Sequence, residues 1–236
     1  MSIRTLPAKR RARKFVASVA SVAAIAAGLL AGTTTGPAAQ QPTASAEPCA
    51  PVELIFARGR NEQPGVGRIG NALVGALNAR LPQPVGVYAV NYPANTEIAA
   101  GANDISNRIQ YMAGACPDTR LIVGGYSLGS VAAALALSAN QTGLGFNRPL
   151  PPGMDSHIAA VVLVGNFSKQ VPGHQIAGQY LDRTIDICNA EDPVCSGGLP
   201  NDLNDLQRVW GDHLQDGYIS SGLIEQAADF AAARVR

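Results

Sequence analysis

The sequence of 236 residues is poor in the patterns that bind metals and nucleic acids. It contains three histidines, and none of its four cysteines has the CxxC spacing typical of zinc sites. Six of the 18 basic residues precede residue 15, so residues 47–236 carry 12 basic and 17 acidic residues, a net charge of −5. Because phosphates are repelled by negative charge, we expect no nucleic acid among the partners of this chain.

The first 46 residues have the pattern of a secretory signal peptide. Six basic residues precede an apolar run, Phe15 to Leu30, and the small residues Ala44-Ser45-Ala46 provide a cleavage site. A retained membrane anchor is the alternative, although a run of 16 residues is shorter than the ~20 that span a bilayer. We therefore predict a secreted protein with a signal peptide over residues 1–46 and one domain over residues 47–236, which is long enough for a single core.

All four cysteines, Cys49, Cys116, Cys188 and Cys195, lie in the predicted exported part. An even number of cysteines in an oxidising compartment predicts two disulfides. Three pairings are compatible with the sequence, and proximity along the chain favours Cys188 with Cys195. In the chain-entropy model this short loop contributes roughly 2.5 kcal/mol, and a loop from Cys49 to Cys116 roughly 4.4 kcal/mol.

Short apolar segments alternate with longer segments of helical periodicity. The strand candidates are Val52–Ala57, Val85–Asn91, Leu121–Gly124, Ala159–Val164 and Thr184–Ile187. The helix candidates are Gly67–Arg80, Ile98–Ala113, Leu128–Ala139 and the amphipathic C-terminal segment Ser220–Arg236. Several strand candidates are apolar throughout, as strands covered on both faces are. The alternation predicts an α/β fold with a parallel sheet and helices on both faces.

A GxSxG motif, the pattern of a nucleophile elbow, occupies residues 125–129. Such a short motif also occurs by chance, but here it lies between a strand candidate and a helix candidate, where sites form in parallel α/β sheets. The turn is strained, and its two glycines leave room for the backbone. We predict that Ser127 is a nucleophile with its hydroxyl exposed at the top of the sheet. The backbone N–H of Leu128 then points to a developing oxyanion.

A serine nucleophile needs a general base, and the sequence offers His157, His174 and His213. In α/β hydrolases the order along the chain is Ser, then Asp or Glu, then His. The last histidine follows many acidic residues and precedes the final helix candidate. We therefore predict His213 as the base, and we expect His157 and His174 to be surface residues.

The acid that orients the histidine is harder to select, because eight acidic residues lie between Ser127 and His213. Asp192 lies in the loop just after the strand candidate Thr184–Ile187, in the segment CNAEDPVC, which a short disulfide would hold rigid. An orienting acid must hold one imidazole tautomer in place, so rigid support favours Asp192. Glu191 is the alternative.

Several segments together resemble the cutinase family, in particular the secreted cutinase-like esterases of actinobacteria. They are CAPVELIFARG at residues 49–59, ACP at residues 115–117 before the GxSxG motif, CNAEDPVC at residues 188–195, and His213 followed by Tyr218. The resemblance covers nearly all of residues 47–236. It implies a small α/β-hydrolase fold with a five-stranded central sheet.

The resemblance also implies which residues act. It assigns ester hydrolysis to Ser127, Asp192 and His213, and it implies the disulfides Cys49–Cys116 and Cys188–Cys195. Two positions depart from the family pattern. Arg60 replaces a Ser or Thr whose N–H and hydroxyl serve the oxyanion hole, and Leu128 replaces a common Gln. Because the backbone N–H groups remain, we predict Arg60 and Leu128 as the two oxyanion-hole donors. Loss of a hydroxyl donor costs up to ~3 kcal/mol, roughly a hundredfold in rate.

The predicted function is hydrolysis of short- to medium-chain carboxylic esters by a secreted serine carboxylesterase or lipase, without metal or organic cofactor. We expect a monomer that contacts lipid surfaces, with association to the cell wall as a further option. Alternatives are a phospholipase, since Arg60 favours anionic substrates, a catalytically weak cell-surface or antigenic protein, and a peptidase. The segment between Cys195 and His213 predicts either an apolar rim for an acyl chain or core contacts of a short helix. Its apolar residues are Leu199, Leu203, Leu206, Val209 and Trp210.

Overall fold

Five strands of mainly apolar residues form one sheet in the computed structural model, which describes residues 49–138, 142–143, 145–170, 173–196 and 213–236. The strands are β1 Val52–Ala57, β2 Gly86–Ala89, β3 Arg120–Tyr126, β4 Ile158–Val164 and β5 Thr184–Ile187. Their order across the sheet is β2-β1-β3-β4-β5, and all neighbouring pairs are parallel. The predicted parallel sheet of five strands is therefore confirmed.

Helices cover both faces of this sheet, because parallel strands need crossover connections. The α-helices are α1 Gly67–Asn78, α2 Ile98–Ala115, α3 Leu128–Ala136, α4 Pro193–Ser196, α5 Gln215–Ser220 and α6 Leu223–Val235. Short 3₁₀ turns lie at Met154–His157, Ser168–Gln170 and Gly178–Arg183. No helix in the described part of the chain is long and apolar enough to cross a membrane.

Two apolar clusters form the core, one on each face of the sheet. Ile55 and Ala57 of β1 pack in the cluster of α2 and α3, whereas Leu54 and Phe56 pack in the cluster of α1 and α6. This alternation follows from the two-residue period of a strand. Each fully buried aliphatic or aromatic side chain contributes roughly 1.5–3 kcal/mol, so the two clusters are the main source of stability.

The structure differs from the predicted elements mainly at their ends. β2 is shorter than predicted, as it is an edge strand with one partner. β3 continues through Gly124 and Gly125 because β1 and β4 pair with it on both sides, which overrides the low strand propensity of glycine. The single C-terminal helix predicted from Ser220 is wrong at its start: Gly222, with φ +79°, separates α5 from α6.

Both disulfides are present. Cys49 pairs with Cys116, which joins the segment before β1 to the C-cap residue of α2. Cys188 pairs with Cys195, which closes a short loop after β5. The first bond therefore lies at the amino ends of the strands and the second at their carboxyl ends. The predicted signal peptide over residues 1–46 lies outside the described residues.

Candidate active site

Ser127 occupies the tight turn between β3 and α3. Its backbone has φ +52° and ψ −118°, a conformation that L-residues rarely adopt and that stores strain. A Cβ on Gly125 would lie 2.3 Å from the backbone of Gly129, and a Cβ on Gly129 would lie 2.0 Å from the carbonyl oxygen of Ala57. Both motif glycines are therefore required by close backbone contacts.

A continuous row of hydrogen bonds joins the three predicted side chains. His213 Nε2 lies 2.7 Å from Ser127 Oγ, and His213 Nδ1 lies 2.7 Å from Asp192 Oδ2. The tautomer that satisfies both contacts donates from Nδ1 to the carboxylate and accepts the serine proton at Nε2. Asp192 is fully buried, whereas the alternative acid Glu191 is exposed. This geometry is that of a nucleophile, a base and an orienting acid.

The Asp192 carboxylate is held from several sides. Oδ1 accepts the backbone N–H of Val194 at 2.9 Å, and Oδ2 accepts the hydroxyl of Tyr218 in addition to His213 Nδ1. The backbone N–H of Asp192 donates to the carbonyl of Asn189 at 2.9 Å. All these groups except Tyr218 and His213 belong to the disulfide-closed loop or α4, so the loop itself fixes the carboxylate.

Tyr126 fixes the histidine. Its ring stacks on the imidazole of His213, with centroids 5.4 Å apart, and its hydroxyl donates to the His213 carbonyl. Burial raises the pKa of both Tyr126 and Tyr218 well above the usual range, and the Asp192 charge adds to this. Both phenols therefore stay neutral and act as donors. Gly165, with φ +58°, leaves room for the edge of the imidazole ring, because a Cβ at position 165 would lie only 3.0 Å from His213 Cε1.

The two predicted oxyanion donors lie on neighbouring segments. Leu128 is the first residue of α3, and Arg60 belongs to the loop that follows the adjacent strand β1. A Cβ on Gly129 would contact the carbonyls of Ala57 and Arg58, so the start of α3 touches this loop. Within the described residues, neither the Leu128 N–H nor the Arg60 N–H donates to a protein acceptor. The β1–β3 boundary is also where the strand order reverses, the usual position of ligand sites in such sheets.

Comparison with known protein families shows the family of this chain. The model of the family described as Cutinase matches residues 48–235. The chain belongs to the cutinase family. A Mycobacterium tuberculosis protein named "Probable carboxylesterase Culp2" is 46% identical over 229 residues, covering 95% of this chain and 97% of the relative. "Phospholipase Culp4" of the same organism is 43% identical over 216 residues, covering 89% and 90%.

Solved cutinase structures share the fold. The Trichoderma reesei cutinase in complex with a C11Y4 phosphonate inhibitor is 25% identical, with a TM-score of 0.60. The match covers 80% of this chain and 78% of that chain. The resemblance to cutinases expected from the sequence segments is therefore confirmed.

Some predictions about this cutinase site differ from the structure or lie beyond it. The Ser127 residue is 7% exposed and its Oγ lies 2.7 Å from His213 Nε2, so Ser127 is less open than the predicted hydroxyl at the top of the sheet. His157 and His174 are half-buried rather than fully on the surface. The predicted apolar rim between Cys195 and His213 lies outside the described residues. In the described ranges, no three His, Cys, Asp or Glu side chains are grouped to hold a metal ion.

Tyr126 and Gly165 were not predicted from the sequence, although both lie against His213. Tyr126 directly precedes the serine, but nothing in a GxSxG motif specifies the second residue. Gly165 follows β4, whose C-terminal end lies beside that of β3. Since sites gather at the carboxyl ends of neighbouring strands, the position of Gly165 was the available signal.

Proposed function

We propose that this carboxylic-ester hydrolase is a secreted serine esterase that cleaves short- to medium-chain acyl esters through a covalent acyl-enzyme. The observation that carries the proposal is the row of hydrogen bonds from Ser127 through His213 to buried Asp192. The names of the relatives, carboxylesterase and phospholipase, support acyl esters as the substrate class.

In the first half of the reaction Ser127 Oγ attacks the ester carbonyl carbon. His213 Nε2 takes the hydroxyl proton, and the carboxylate of Asp192 stabilises the resulting imidazolium through Nδ1. The carbonyl oxygen gains negative charge and accepts hydrogen bonds from the N–H groups of Leu128 and Arg60. When the tetrahedral intermediate collapses, His213 returns the proton to the leaving alcohol, and the acyl group stays on Ser127.

In the second half, water repeats the same route. His213 Nε2 removes a proton from water, the hydroxide attacks the acyl carbonyl, and the same two N–H groups stabilise the new oxyanion. The proton then goes to Ser127 Oγ as the carboxylic acid leaves. Each turnover therefore consumes one ester and one water and restores the enzyme.

An acyl-length series on the purified protein tests this function. We expect hydrolysis of p-nitrophenyl esters with a maximum at short to medium chains. Ser127→Ala and His213→Gln should each lower kcat by at least about a thousandfold, as loss of triad members does in serine hydrolases. Ser156→Ala and His157→Gln, which change the same residue types outside the site, should keep kcat. Retention of most activity in Ser127→Ala would remove the nucleophile assignment.

Arg60 favours a second candidate, hydrolysis of anionic esters such as phospholipids. Its side chain is exposed, and within the described residues no acidic group pairs with it. Arg60 lies in the loop that follows β1 and carries one of the predicted oxyanion donors, and a guanidinium at this place attracts phosphate. We expect Arg60→Ser to raise kcat on neutral esters by up to about a hundredfold, by supplying a hydroxyl donor, and to lower kcat/KM on anionic phospholipids. Arg60→Lys, which keeps the charge, should keep the phospholipid activity.

Two weaker alternatives are separated by the same assays. A catalytically weak surface or antigenic protein would react with neither the ester series nor a fluorophosphonate. A peptidase would cleave an amide of the same acyl group at a measurable rate, since the same three side chains can cleave both bonds. We expect cleavage of the ester and no detectable cleavage of the matched amide.

A further inference from the structure

Glu62 contacts the loop of Arg60 at two atoms of Gly59. The Glu62 carboxylate accepts the Gly59 N–H through Oε2 at 2.6 Å, and the backbone N–H of Glu62 donates to the Gly59 carbonyl at 3.3 Å. The Gly59 carbonyl and the Arg60 N–H belong to one trans peptide, so they point in opposite directions. The backbone N–H of Glu62 therefore sets the direction of the Arg60 N–H, and the Glu62 carboxylate fixes the preceding peptide through the Gly59 N–H.

The second carboxylate oxygen of Glu62 connects this loop to two other elements. Oε1 accepts the backbone N–H of Arg68 at 2.9 Å and the side-chain amide of Gln215 at 3.4 Å. Arg68 lies in the first turn of α1, where N–H groups lack helical partners and the helix dipole favours an anion. Gln215 begins α5, two residues after His213. The Glu62 carboxylate thus connects the loop after β1, which contains Arg60, with α1 and with the segment that carries His213.

The surroundings leave space for this carboxylate. Gly67 has φ +70°, and a Cβ there would lie 2.4 Å from Glu62 Oε2. A Cβ on Gly59 would lie 3.1 Å from the same oxygen and 2.5 Å from the ring of Tyr126. The buried Arg58 side chain donates from Nε to the Glu62 carbonyl at 2.9 Å, which holds the Glu62 backbone as well. Any larger residue at either glycine would displace the carboxylate.

We propose that Glu62 is a positioning residue for the oxyanion hole. Its carboxylate holds the N–H of Gly59 and its backbone N–H holds the carbonyl of Gly59, so the peptides on both sides of Gly59 are fixed and the Arg60 N–H is oriented before substrate arrives. Preorganised donors act mainly on the transition state, because charge appears on the carbonyl oxygen only there. The proposal rests on the proposed function, in which the Arg60 N–H stabilises the oxyanion.

The test is Glu62→Gln, which keeps the size of the side chain. A carboxylate accepts from both the Gly59 and Arg68 N–H groups, whereas the amide nitrogen of Gln cannot accept a hydrogen bond. We expect kcat to fall by about ten- to a hundredfold with KM within about twofold, somewhat less than the loss of an oxyanion donor itself. The rate of fluorophosphonate labelling should fall in parallel. Glu97→Gln, the same change at an exposed position, should leave both rates unchanged.

Active-site titration before the assays separates positioning from unfolding, since kcat is then counted per folded site. If Glu62→Gln does not fold, Glu62→Asp is the second variant. Asp keeps the charge but is too short for both contacts, so an intermediate loss of kcat is expected. If the wild-type enzyme is active and the folded Glu62→Gln variant has the same kcat, or differs from it only in KM, the positioning role of Glu62 is overturned. A wild-type protein that neither hydrolyses esters nor is labelled would instead overturn the proposed function.

Discussion

The hydroxyl of Tyr218 and the Nδ1 of His213 meet at the same carboxylate oxygen, Oδ2 of Asp192. All three residues are buried. These two donors to Oδ2, together with the Val194 N–H that donates to Oδ1, replace the water that a buried carboxylate loses. The hydroxyl of Tyr218 also lies 3.4 Å from Cys195 Sγ, at the end of the loop that carries the aspartate. Tyr218 thus connects α5 with the disulfide-closed loop.

Removal of this hydroxyl should weaken both stability and activity. Tyr218→Phe keeps the ring but takes one donor from the Asp192 carboxylate. A hydrogen bond to a charged group contributes about 1.5–3 kcal/mol, so we expect the free energy of unfolding to fall by that amount in urea titrations. We expect kcat/KM to fall by roughly tenfold. Tyr111→Phe, at an exposed tyrosine, is the control; equal behaviour of the two variants would contradict the structural role of Tyr218.

Tyrosine ionisation should make the protein less stable at high pH. Burial raises the pKa of five of the six tyrosines, Tyr88, Tyr92, Tyr126, Tyr180 and Tyr218. In the unfolded chain tyrosines lose protons near pH ~10, so above that pH the folded state binds more protons and the free energy of unfolding falls as pH rises. Below that pH these groups add no pH dependence.

An absorbance titration of tyrosinate measures this directly. We expect the folded protein to form less tyrosinate near pH ~10 than the same protein in denaturant, and urea midpoints to decline from that pH upward. Identical titration curves for the folded and denatured protein would show that the tyrosines are not shielded as the structure has them.

The two disulfides should have different effects on catalysis. Replacing Cys188 and Cys195 by Ser frees the loop of Asp192, so we expect kcat to fall along with a loss of roughly 2.5 kcal/mol of stability. Replacing Cys49 and Cys116 by Ser should cost more stability, roughly 4 kcal/mol, yet keep kcat per folded molecule because this bond lies at the amino ends of the strands. Equal kcat losses, measured after active-site titration at low temperature, would contradict this division.

Glycine at position 129 should tolerate no side chain. Gly129→Ala places a Cβ 2.0 Å from the Ala57 carbonyl oxygen, so the turn of Ser127 must shift. We expect a loss of about 1–3 kcal/mol in unfolding free energy, typical of overpacking, and a large fall in kcat. Gly114→Ala is the matched control in helix α2, where a Cβ meets nothing within 4 Å. It should stabilise the protein by up to about 1 kcal/mol.

Much of the fold follows from local patterns in the sequence. The apolar run of β4 and the alanine-rich α3 are recognisable because both elements are buried along their whole length. The break between α5 and α6 is less visible, since the apolar periodicity continues across Gly222 and only its positive φ interrupts the helix. The ends of helices and strands depend on tertiary contacts, and the periodicity of apolar residues gives no information on these contacts.

Prediction of the site depended on chain order, on one motif, on the disulfide-held segment around Asp192 and on the resemblance to cutinases. The motif identified Ser127 and the order of residues favoured His213, because these rules concern positions along the chain. The contacts of Tyr126 and Glu62 could not be predicted in this way. Tyr126 meets His213 across 87 positions, and Glu62 meets Gln215 across 153. Such pairs exist only after the sheet has brought the carboxyl ends of its strands together.

The most direct test of the central claim is to map the adduct that a fluorophosphonate forms with the wild-type protein by mass spectrometry of its peptides. The hydrogen-bonded row of Ser127, His213 and Asp192 predicts one adduct, on Ser127, formed far more slowly in His213→Gln and Asp192→Asn. An adduct on a different serine would contradict the central claim, and so would a wild-type protein that hydrolyses esters but takes no label.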